Sequence, residues 1–479
     1  MSIEAHRPAW PAAPAGADRF WTVSRVADAL SALAATPLPR GPHEFGRVWT
    51  DTRTLQSGDL FVALAGEKFD AHAFLADAVR AGASGVVVSR LDDTKGITVP
   101  VFHVRDTRAA LGALGRYRRR AWKGPLVGVV GTNGKTSTKE LIRAALDSRL
   151  EVHATYRNLN NLVGVPQTLL AIPDHADVAV VEMGTNQPGE IATLRDIVEP
   201  SLVVVTSIAE EHLEGLRDLQ GVLREELAAC ADVPVAIVPA AQPEVVAEAR
   251  KRARRVVAAG LDGGDAAVSR WSLDADGRGH LFVGDVDVMV PLRGVHNLRN
   301  ATLALAVANE LGITVEDAAR GIAAMSAPPM RSHVEQIGRA MLINDAYNSN
   351  PGSARAALEL LAHAGGDTTA GGRRSRQRVA VLGTMLELGP TAPQLHDEIA
   401  RAALDARVDL IGGVGEFAAA LERVGAPRDR IVVAQDAEAI WPALSSRLEP
   451  NAIILLKGSR GVRLDRLVPL VTKWAHDAS

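Results

Sequence analysis

A glycine-rich turn between a strand pattern and a helix pattern constrains this chain more than any other segment. The apolar run at residues 126–130 leads into the turn, although Gly128 lies one residue too far from Gly134 for the strict phosphate-loop spacing. Lys135 adds a positive charge for the β and γ oxygens of a nucleotide, and the Thr136 hydroxyl is placed to ligate Mg²⁺. We define the phosphate loop as Gly131, Thr132, Asn133, Gly134, Lys135, Thr136 and Ser137. Backbone N–H groups of such a turn, with a helix N-terminus behind them, bind phosphate, so the sequence predicts ATP binding.

The bulk composition is that of an ordinary folded protein with several domains. Its 479 residues predict about two to four domains, and 47% hydrophobic and 23% charged residues are typical of globular proteins. A net charge of −3 argues against nucleic acid as a partner. The basic run at 116–120 is therefore expected to be the solvated last turn of a helix. Uninterrupted apolar stretches of about 18 residues are missing from the sequence, so a membrane span is not expected.

Cysteine content and the first residues predict a cytoplasmic protein. Cys230 is the single cysteine, which excludes a disulfide framework and a cysteine-based metal site. Its apolar neighbours predict a buried, inert thiol. Residues 1–18 are rich in Pro and Ala and are expected to be a disordered lead-in and not a signal peptide.

Strand and helix patterns alternate along most of the chain, which predicts an α/β fold with parallel sheets. One boundary follows the helix pattern at 107–122, because Gly124 and Pro125 end it. A second boundary lies at Pro328 and Pro329. The predicted domains are 1–123, 124–328 and 329–479.

Three weaker patterns interrupt this rhythm. Residues 262–290 alternate in a way that predicts a small antiparallel excursion, and a helix is expected to begin at Asn300. The segment 363–377 lacks apolar residues and is rich in Gly, Thr and Arg, so we expect a mobile surface loop. Its arginines are expected to be solvated and not to bind phosphate or RNA.

Several polar residues stand where predicted strands end. Glu182 follows the apolar run 178–181, and the carboxyl ends of parallel strands are where such sheets bind ligands, so Glu182 is a candidate ligand of Mg²⁺. His212 follows the predicted strand 202–206 but is a weak signal by itself. The Asn-rich segments 294–301 and 344–353 favour two halves of a base-and-ribose clamp, while helix capping is their simpler explanation.

With these motifs the chain resembles the Mur ligases, ATP-dependent amide-forming enzymes of peptidoglycan synthesis. The resemblance covers essentially the whole chain after about residue 45. The segments that carry it are GTNGKTST at 131–138, RNLNNLVGVP at 157–166, EMGTNQPGEI at 182–191, EEHLEG at 210–215, GVHNLRNA at 294–301, DAYNSNP at 345–351 and KGSRGVRL at 457–464.

Within the family, three features are similar to the member that adds D-alanyl-D-alanine to UDP-N-acetylmuramoyl-tripeptide. They are DAYNSNP at 345–351, GTMLELG at 383–389 and the KGSR segment at 457–460, while the DNPR signature of the diaminopimelate-adding relative is absent. The resemblance implies ATP and Mg²⁺, those two small-molecule substrates and a monomer. It also implies a central parallel-sheet, P-loop-like ATPase domain between an N-terminal UDP-binding α/β domain and a C-terminal Rossmann-like domain.

The resemblance further implies a role for each matching residue. Lys135, His212 and Arg331 would be catalytic. The remaining nucleotide contacts would come from Asn297, Asn300, Arg331 and Asp345. The UDP substrate would be bound by Asp51, Thr52, Arg53, Phe69, Asp70, His72, Asn160 and Asn161. The metal ligands would be Thr136, Glu182, His212 and Glu226.

Three positions depart from the family pattern. The family usually carries a lysine about fourteen residues after the metal-binding His, carbamylated so that it presents an anion to Mg²⁺, and Glu226 stands there. Thr384 replaces the usual acid of the GTMLELG segment, and Ala71 replaces a glycine. The change at Glu226 concerns the ligands around the metal, and the change at Thr384 concerns the hinge contacts.

Two alternatives remain at this point. One is another ligase of the same superfamily, such as the diaminopimelate- or lysine-adding enzyme or a folylpolyglutamate synthetase. The other is a nucleotide-binding scaffold with degenerate chemistry, against which the retained Lys135, Glu182 and Arg331 weigh. Both diaminopimelate and lysine stay open as the third residue of the accepted tripeptide.

Overall fold

A computed structural model describes residues 20–66, 69–274, 277–364, 376–406 and 408–477. The predicted lead-in at 1–18 lies outside these residues, and so does the 365–375 part of the predicted surface loop. Within the described ranges no helix is long and apolar enough to cross a membrane.

The strands are short and mostly apolar, as expected for buried parallel sheets. In chain order they are β1 (Trp21–Thr22), β2 (Glu44–Phe45), β3 (Val48–Trp49), β4 (Leu60–Val62), β5 (Gly85–Val88), β6 (Val101–His103), β7 (Leu126–Val130), β8 (Val152–Ala154), β9 (Val178–Glu182), β10 (Leu202–Val205), β11 (Val235–Pro239), β12 (Arg255–Gly260), β13 (Ala266–Ala267), β14 (Arg270–Leu273), β15 (Arg278–Val283), β16 (Val286–Arg293), β17 (His333–Ile337), β18 (Ala340–Asp345), β19 (Arg378–Gly383), β20 (Leu410–Val414), β21 (Ile431–Ala434) and β22 (Ile453–Lys457).

The helices lie between these strands. They are α1 (Val23–Leu30), α2 (Leu75–Arg80), α3 (Thr107–Trp122), α4 (Lys135–Asp147), α5 (Gly164–Leu170), α6 (Glu190–Val198), α7 (Leu213–Leu216), α8 (Leu219–Glu226), α9 (Pro243–Arg250), α10 (Val295–Glu310), α11 (Val315–Ala323), α12 (Pro351–His363), α13 (Ala392–Asp405), α14 (Glu416–Arg423), α15 (Trp441–Ser445) and α16 (Leu467–Asp477).

Helix α3 shows why the predicted bounds of 107–122 are correct. The Asp106 carboxylate caps its start by accepting hydrogen bonds from Arg108 N at 2.7 Å and Ala109 N at 3.0 Å. At the other end Lys123 adopts a left-handed conformation with φ of 62°, which ends the helix before Gly124-Pro125.

The chain forms two compact units, and unit 1 comprises residues 1–126, 153–183 and 193–200. Its four-stranded sheet is parallel, in the order β3, β4, β5, β6. Strand β4 is buried on both faces, because Leu60 and Val62 pack into one apolar cluster while Phe61 packs into another. This agrees with the alternating α/β pattern predicted for the first segment.

Unit 2 comprises residues 127–152, 184–192 and 201–479. Five of its strands are adjacent in the order β13, β12, β11, β10, β7 and are parallel. The register of β7 with β10 pairs Val130 with Val205, so both strands end together where the phosphate loop begins. Strands β14, β15 and β16 form an antiparallel sheet, which confirms the predicted excursion.

A second sheet of unit 2 has the order β17, β18, β22, β19, β20, β21. All neighbours are parallel except β17 and β18. Strands β18, β19 and β22 end side by side, so the loops that follow them, at 346–350, 384–388 and 458–461, leave the same sheet edge. Ligands bind at this edge in α/β sheets.

Two local expectations are wrong. Helix α10 begins at Val295 and not at Asn300, after Gly294 with φ of 89°, so the Asn-rich segment forms the first turns of the helix. The basic run is solvated only in part, because Arg118 and Arg119 are buried at 6% and 7% exposure, whereas the side chain of Arg120 is 60% exposed. The guanidinium groups of the two buried arginines donate to the carbonyl oxygens of Ile172 at 2.6 Å and Val198 at 3.0 Å.

The predicted inert thiol is confirmed. Cys230 ends the 3-10 helix Leu227–Cys230 and is fully buried. Burial raises the pKa of the thiol to about 12, so little of it is present as the reactive thiolate.

Candidate active site

The phosphate loop joins β7 to α4, and at two of its positions only glycine fits the backbone angle and the available space. Gly131 has φ of 118°, and a Cβ there would lie 2.5 Å from Thr206 Oγ1. Gly134 has φ of 83°, and a Cβ there would lie 2.7 Å from Asn300 Oδ1. Only glycine adopts these angles without a steric penalty and also leaves room for these neighbours.

Thr206 and Ser207, which follow β10, hold the phosphate loop in place through hydrogen bonds. Thr206 Oγ1 donates to the carbonyl oxygen of Asn133 at 2.6 Å. Thr132 N donates to Ser207 O at 2.8 Å, and Asn133 N donates to Ser207 Oγ at 3.2 Å. The loop is therefore held in one shape, with the positive end of the α4 dipole behind it.

The Lys135 ammonium group lies over the loop that carries it. Its Nζ donates to the carbonyl oxygens of Gly131 and of Thr132, the latter at 3.2 Å. Nζ also lies 3.9 Å from the Glu211 carboxylate, which is buried. Glu211 was not singled out in the sequence, although it directly precedes His212.

Glu226 supports the loop from helix α8. Its Oε2 accepts a hydrogen bond of 2.8 Å from Gly131 N, and the residue is 3% exposed. Burial raises the pKa of this carboxyl group, while the positive charge of Lys135 acts in the opposite direction. Glu226 is therefore a buried part of the loop's support and not a solvated helix residue.

His212 lies at the start of α7 with a left-handed backbone, φ 52°. Its Nδ1 hydrogen-bonds the carboxylate of Glu387, which lies 175 residues further along the chain. Its Nε2 lies 3.9 Å from Glu211 Oε1. The local sequence around either residue gives no sign of this contact.

A cleft of about 190 Å³ opens beside His212. Most of the residues that line it have polar side chains: Glu211, His212, Asn348, Ser349, Asn350, Leu386, Glu387, Leu388, Ser459, Arg460 and Gly461. The Ser349 hydroxyl oxygen is buried without a hydrogen-bond partner. Buried polar atoms usually have partners, so this hydroxyl is an exception within the cleft.

The Asn-rich segment after β18 caps a helix and also contacts the phosphate loop. The Asn350 side-chain oxygen accepts from Ser353 N at 2.9 Å and caps helix α12, which agrees with the simpler explanation. Its amide nitrogen also donates to Asn133 Oδ1 in the phosphate loop at 2.8 Å. Asn348 Nδ2 donates to Glu211 Oε1 at 3.2 Å. The segment thus contacts the phosphate loop and its neighbouring carboxylate directly.

Asp345 and Lys457 end adjacent strands and form an ion pair of 2.8 Å. Asp345 also accepts from Ser332 N at 2.7 Å, beside Arg331. The Arg331 guanidinium lies 4.1 Å from the centre of the Tyr347 ring, a cation–π contact. The structure therefore brings the two predicted nucleotide contacts Arg331 and Asp345 into one neighbourhood.

Asn297 and Asn300 lie one helical turn apart in α10 and are buried at 3% and 7% exposure. Asn300 Nδ2 donates to Asn297 Oδ1 at 3.1 Å, and Asn297 Nδ2 donates to Arg293 O at 2.8 Å. The Asn300 amide also packs against Gly134 of the phosphate loop. Their predicted contact with adenine stays a prediction.

In unit 1 the predicted UDP-binding residues form separate local groups. Asp51 accepts two hydrogen bonds from the guanidinium of Arg53, at 2.8 and 2.6 Å. Thr52 lies between them and is half-buried. Phe69 is 61% exposed and stacks on Phe74 with 5.4 Å between ring centres.

His72 lies fully inside unit 1 and fixes the loop that carries Asp70. Its Nδ1 pairs with Asp70 Oδ1 at 2.7 Å, and its Nε2 accepts from Ser89 N at 2.9 Å. Arg90 contacts the other Asp70 oxygen at 2.8 Å. Partial burial opposes ionisation, but the hydrogen bonds from His72 and the charge of Arg90 lower the pKa of Asp70.

Asn160 and Asn161 have different partners. Asn160 Nδ2 donates to Glu182 Oε1 at 2.8 Å, and Glu182 is buried at the end of β9. Asn161 Oδ1 accepts from Gly164 N at 2.9 Å and from Val163 N at 3.1 Å, which caps helix α5. Asn160 thus orients a predicted metal ligand, while Asn161 stabilises a helix.

The donor chemistry of unit 2 suits Mg²⁺. In the described part of the chain no group of three or more His, Cys, Asp or Glu side chains is arranged to hold a metal ion. Mg²⁺ does not require such a cage, because it commonly binds through one or two carboxylates, several waters and substrate phosphates. The Glu211 carboxylate beside Lys135, the Glu226 carboxylate beside Gly131 and the Thr136 hydroxyl at the start of α4 fit that description.

Comparison with known proteins agrees with this site. Residues 129–308 match the Mur ligase middle domain, and residues 330–460 match the Mur ligase glutamate ligase domain. The UDP-N-acetylmuramoyl-tripeptide--D-alanyl-D-alanine ligase of Synechocystis sp. is 35% identical over 441 residues, which cover 88% of this chain and 90% of that protein.

Solved structures give the same result. MurF from Acinetobacter baumannii has a TM-score of 0.84 at 30% identity, covering 95% of this chain and 99% of that chain. MurF ligase from Thermotoga maritima in complex with ADP has a TM-score of 0.78 at 25% identity, covering 90% of this chain and 98% of that chain. The predicted α/β fold with a parallel-sheet ATPase is confirmed. With a phosphate loop of this geometry and relatives of this extent, the chain belongs to the Mur ligase family.

Proposed function

We infer that this protein is the ATP-dependent ligase that adds D-alanyl-D-alanine to UDP-N-acetylmuramoyl-tripeptide in peptidoglycan precursor synthesis. The observation that carries the inference is a phosphate loop joined directly to a polar cleft. Asn350 of the cleft donates to Asn133 of the loop at 2.8 Å, so the nucleotide and acceptor sites are neighbours. Relatives with that name match about nine-tenths of the chain.

In the first step, a tripeptide carboxylate oxygen attacks the γ-phosphorus of ATP. An O–P bond forms, the bond to the β–γ bridging oxygen breaks, and an acyl phosphate and ADP result. Lys135 neutralises negative charge on the transferring group, as phosphoryl transfer requires. Arg331, beside Asp345, supplies a second cation for the same purpose.

In the second step, the free amine of D-alanyl-D-alanine attacks the acyl carbon. A tetrahedral intermediate forms, phosphate leaves with the C–O bond electrons, and the amine proton passes to solvent. The cleft at Arg460 holds the acceptor, because a guanidinium binds a carboxylate. The Glu211 carboxylate lies at the same cleft, where it attracts the ammonium group of the incoming dipeptide, and this group loses one proton to solvent before the free amine attacks.

Thr136, Glu182, His212 and Glu226 are proposed to hold Mg²⁺. When bound, the ion neutralises phosphate charge and orients the γ-phosphoryl group. The chain's own contribution is to hold carboxylates in fixed orientations, as Asn160 does for Glu182 in unit 1.

Unit 1 is proposed to bind the UDP end of the substrate. Arg53 and Arg90 lie beside Asp51 and Asp70 on exposed loops, and the exposed ring of Phe69 offers a stacking surface for a base. His72 acts through Asp70, because both of its ring nitrogens already have partners. We further propose the domains 1–123, 124–328 and 329–479, a monomer and a cytoplasmic location.

Lys135→Ala tests whether the phosphate loop is catalytic. Loss of this cation should lower turnover by roughly a thousandfold, the scale of removing one oxyanion-stabilising group, while the circular dichroism spectrum stays unchanged. Lys251→Ala is the matched control, because the side chain of that lysine is 67% exposed and its ammonium group contacts Glu248 at 2.6 Å. Comparable activity of Lys135→Ala and the parent would show that the loop is not catalytic.

A further inference from the structure

Two residues with strained backbones meet at the edge of the cleft. His212 has φ of 52° and Glu387 has φ of 63°, both in the left-handed region. Such angles cost about 1 kcal/mol or more for a residue with a side chain and persist where the surroundings enforce them. Here the two side chains hydrogen-bond each other, His212 Nδ1 to Glu387 Oε2. Glu214 N also donates to Glu387 O at 3.2 Å, so backbone and side chain are both engaged.

The pairing fixes which imidazole nitrogen carries the proton. A carboxylate only accepts hydrogen bonds, so His212 Nδ1 is the protonated nitrogen and Nε2 carries the lone pair. Nε2 lies 3.9 Å from Glu211 Oε1, at the cleft. A free lone pair at that position can accept a proton or a cation.

The loop that presents Glu387 is itself anchored. Met385 N donates to His396 Nε2 at 2.9 Å, and Leu386 N donates to Ser459 Oγ at 3.0 Å. Thr384, at the position where the family usually has an acid, accepts from Glu416 N at 3.0 Å. Glu387 therefore reaches His212 from a loop with fixed backbone positions.

His396 is the buried anchor of that loop. It is fully buried, its ring packs edge-on to Phe417 at 4.8 Å, and its Nδ1 donates to Ala392 O at 2.7 Å. Its Nε2 lone pair is therefore free to accept from Met385 N. Burial lowers the pKa of this imidazole, which keeps the accepting form present.

We propose that Glu387 is a positioning residue of the ligase: it holds His212 in the Nδ1-protonated tautomer with Nε2 directed at the cleft. This inference rests on the proposed function for its catalytic meaning. Carboxylate partners of this kind typically contribute tenfold to a hundredfold to the activity or affinity of the histidine that they orient.

Nuclear magnetic resonance of ¹⁵N-histidine-labelled protein tests the tautomer directly, without metal or nucleotide. The His212 resonances are assigned by their loss in His212→Gln, and spectra are recorded at pH 9, where an ordinary imidazole is neutral. The parent should show protonated Nδ1 and unprotonated Nε2 at His212. Glu387→Ala should shift His212 toward the Nε2-protonated form, whereas Glu387→Gln, which keeps an acceptor oxygen, should retain the parent pattern. Glu422→Ala, an exposed carboxylate on α14, is the matched control.

Kinetics supply a second readout that a merely structural role would not give. Glu387→Ala should lower kcat by about tenfold to a hundredfold, with the KM for D-alanyl-D-alanine changed by less than the kcat. An unchanged His212 tautomer in Glu387→Ala, or a raised KM with normal kcat, would overturn the proposal. If the parent makes no ADP with both substrates, the proposed function fails, while the spectra still decide the role of Glu387.

Discussion

At the scale of single residues, Glu226 is the departure from the family pattern that bears most directly on the phosphate loop. The resemblance places a carbamylated lysine at this position, which presents an anion on a long side chain. A glutamate can supply an anion without carbamylation, although burial raises the pKa of this carboxyl group, and Glu226 Oε2 accepts a hydrogen bond from Gly131 N at 2.8 Å. The helix that carries it therefore lies close enough to the phosphate loop for a shorter side chain to reach.

Removal of the Glu226 charge should damage the site while leaving the hydrogen bond possible. Since no lysine needs CO₂ at this position, the rate should be the same in bicarbonate-free buffer and with added bicarbonate. Glu226→Gln should raise the Mg²⁺ requirement and cut turnover by roughly tenfold or more. Glu226→Lys is the matched variant, and partial activity that depends on bicarbonate would support the exchange. The account of Glu226 is wrong if Glu226→Gln matches the parent at every Mg²⁺ concentration.

At the scale of elements, continuous apolar runs predict the buried central strands, whereas they predict no contacts between distant residues. Runs such as 126–130 and 410–414 are apolar throughout, because both faces of a central parallel strand are buried, and the structure has them at those bounds. Helix α10 begins earlier than predicted because the buried amides of its first two turns are satisfied by hydrogen bonds, from Asn297 to Arg293 O and from Asn300 to Asn297 Oδ1.

Site contacts depend on side chains that the chain brings together from far apart. The phosphate-loop motif is local, so the sequence alone reveals it, although Thr206, Ser207 and Glu226 support its shape from far along the chain. The contact of His212 with Glu387 spans 175 residues and that of Asn350 with Asn133 spans 217, so the local pattern carries no sign of them. The prediction that the basic run is solvated is wrong at Arg118 and Arg119 for the same reason, since their partners are carbonyl groups more than 50 residues away.

Asn350 separates a capping role from a binding role. Asn350→Asp keeps the oxygen that caps α12 but loses the amide that donates to Asn133. Thermal stability should therefore stay close to the parent's, whereas the Kd for a non-hydrolysable ATP analogue should rise about tenfold, since one hydrogen bond is lost and a negative charge is added beside the phosphates. Asn350→Ala should lower stability by about 1 kcal/mol as well. Calorimetric titration that shows equal affinity for Asn350→Asp and the parent would contradict this.

At the scale of the whole molecule, buried histidines make the folded state less stable as the pH falls below neutrality. Burial lowers the pKa of His153 in unit 1 and of His296 and His396 in unit 2. The unfolded chain binds these protons near pH 6.5, while the folded chain binds them only at lower pH. Their contribution to stability is thus complete above about pH 6.5 and is lost as the pH falls below it.

The melting temperature of the protein should fall between pH 7 and pH 5. His396→Gln offers an accepting oxygen to Met385 N without the titration, so its melting temperature should fall less over the same range. Differential scanning calorimetry at half-unit steps of pH measures both. Parallel curves for His396→Gln and the parent would mean that His396 does not contribute.

Peptide ligation by this molecule depends on the coupling of a nucleotide site to an acceptor cleft. The direct measurement is ADP release from purified protein with ATP and Mg²⁺, while UDP-N-acetylmuramoyl-tripeptide and D-alanyl-D-alanine are supplied separately and together. Diaminopimelate, lysine and glutamate, each with its UDP-muramoyl or folate co-substrate, replace the dipeptide in parallel reactions. We expect sustained ADP release only with both UDP-N-acetylmuramoyl-tripeptide and D-alanyl-D-alanine. Release that is stimulated instead by one of the other amino acids, or by neither substrate, would contradict the account.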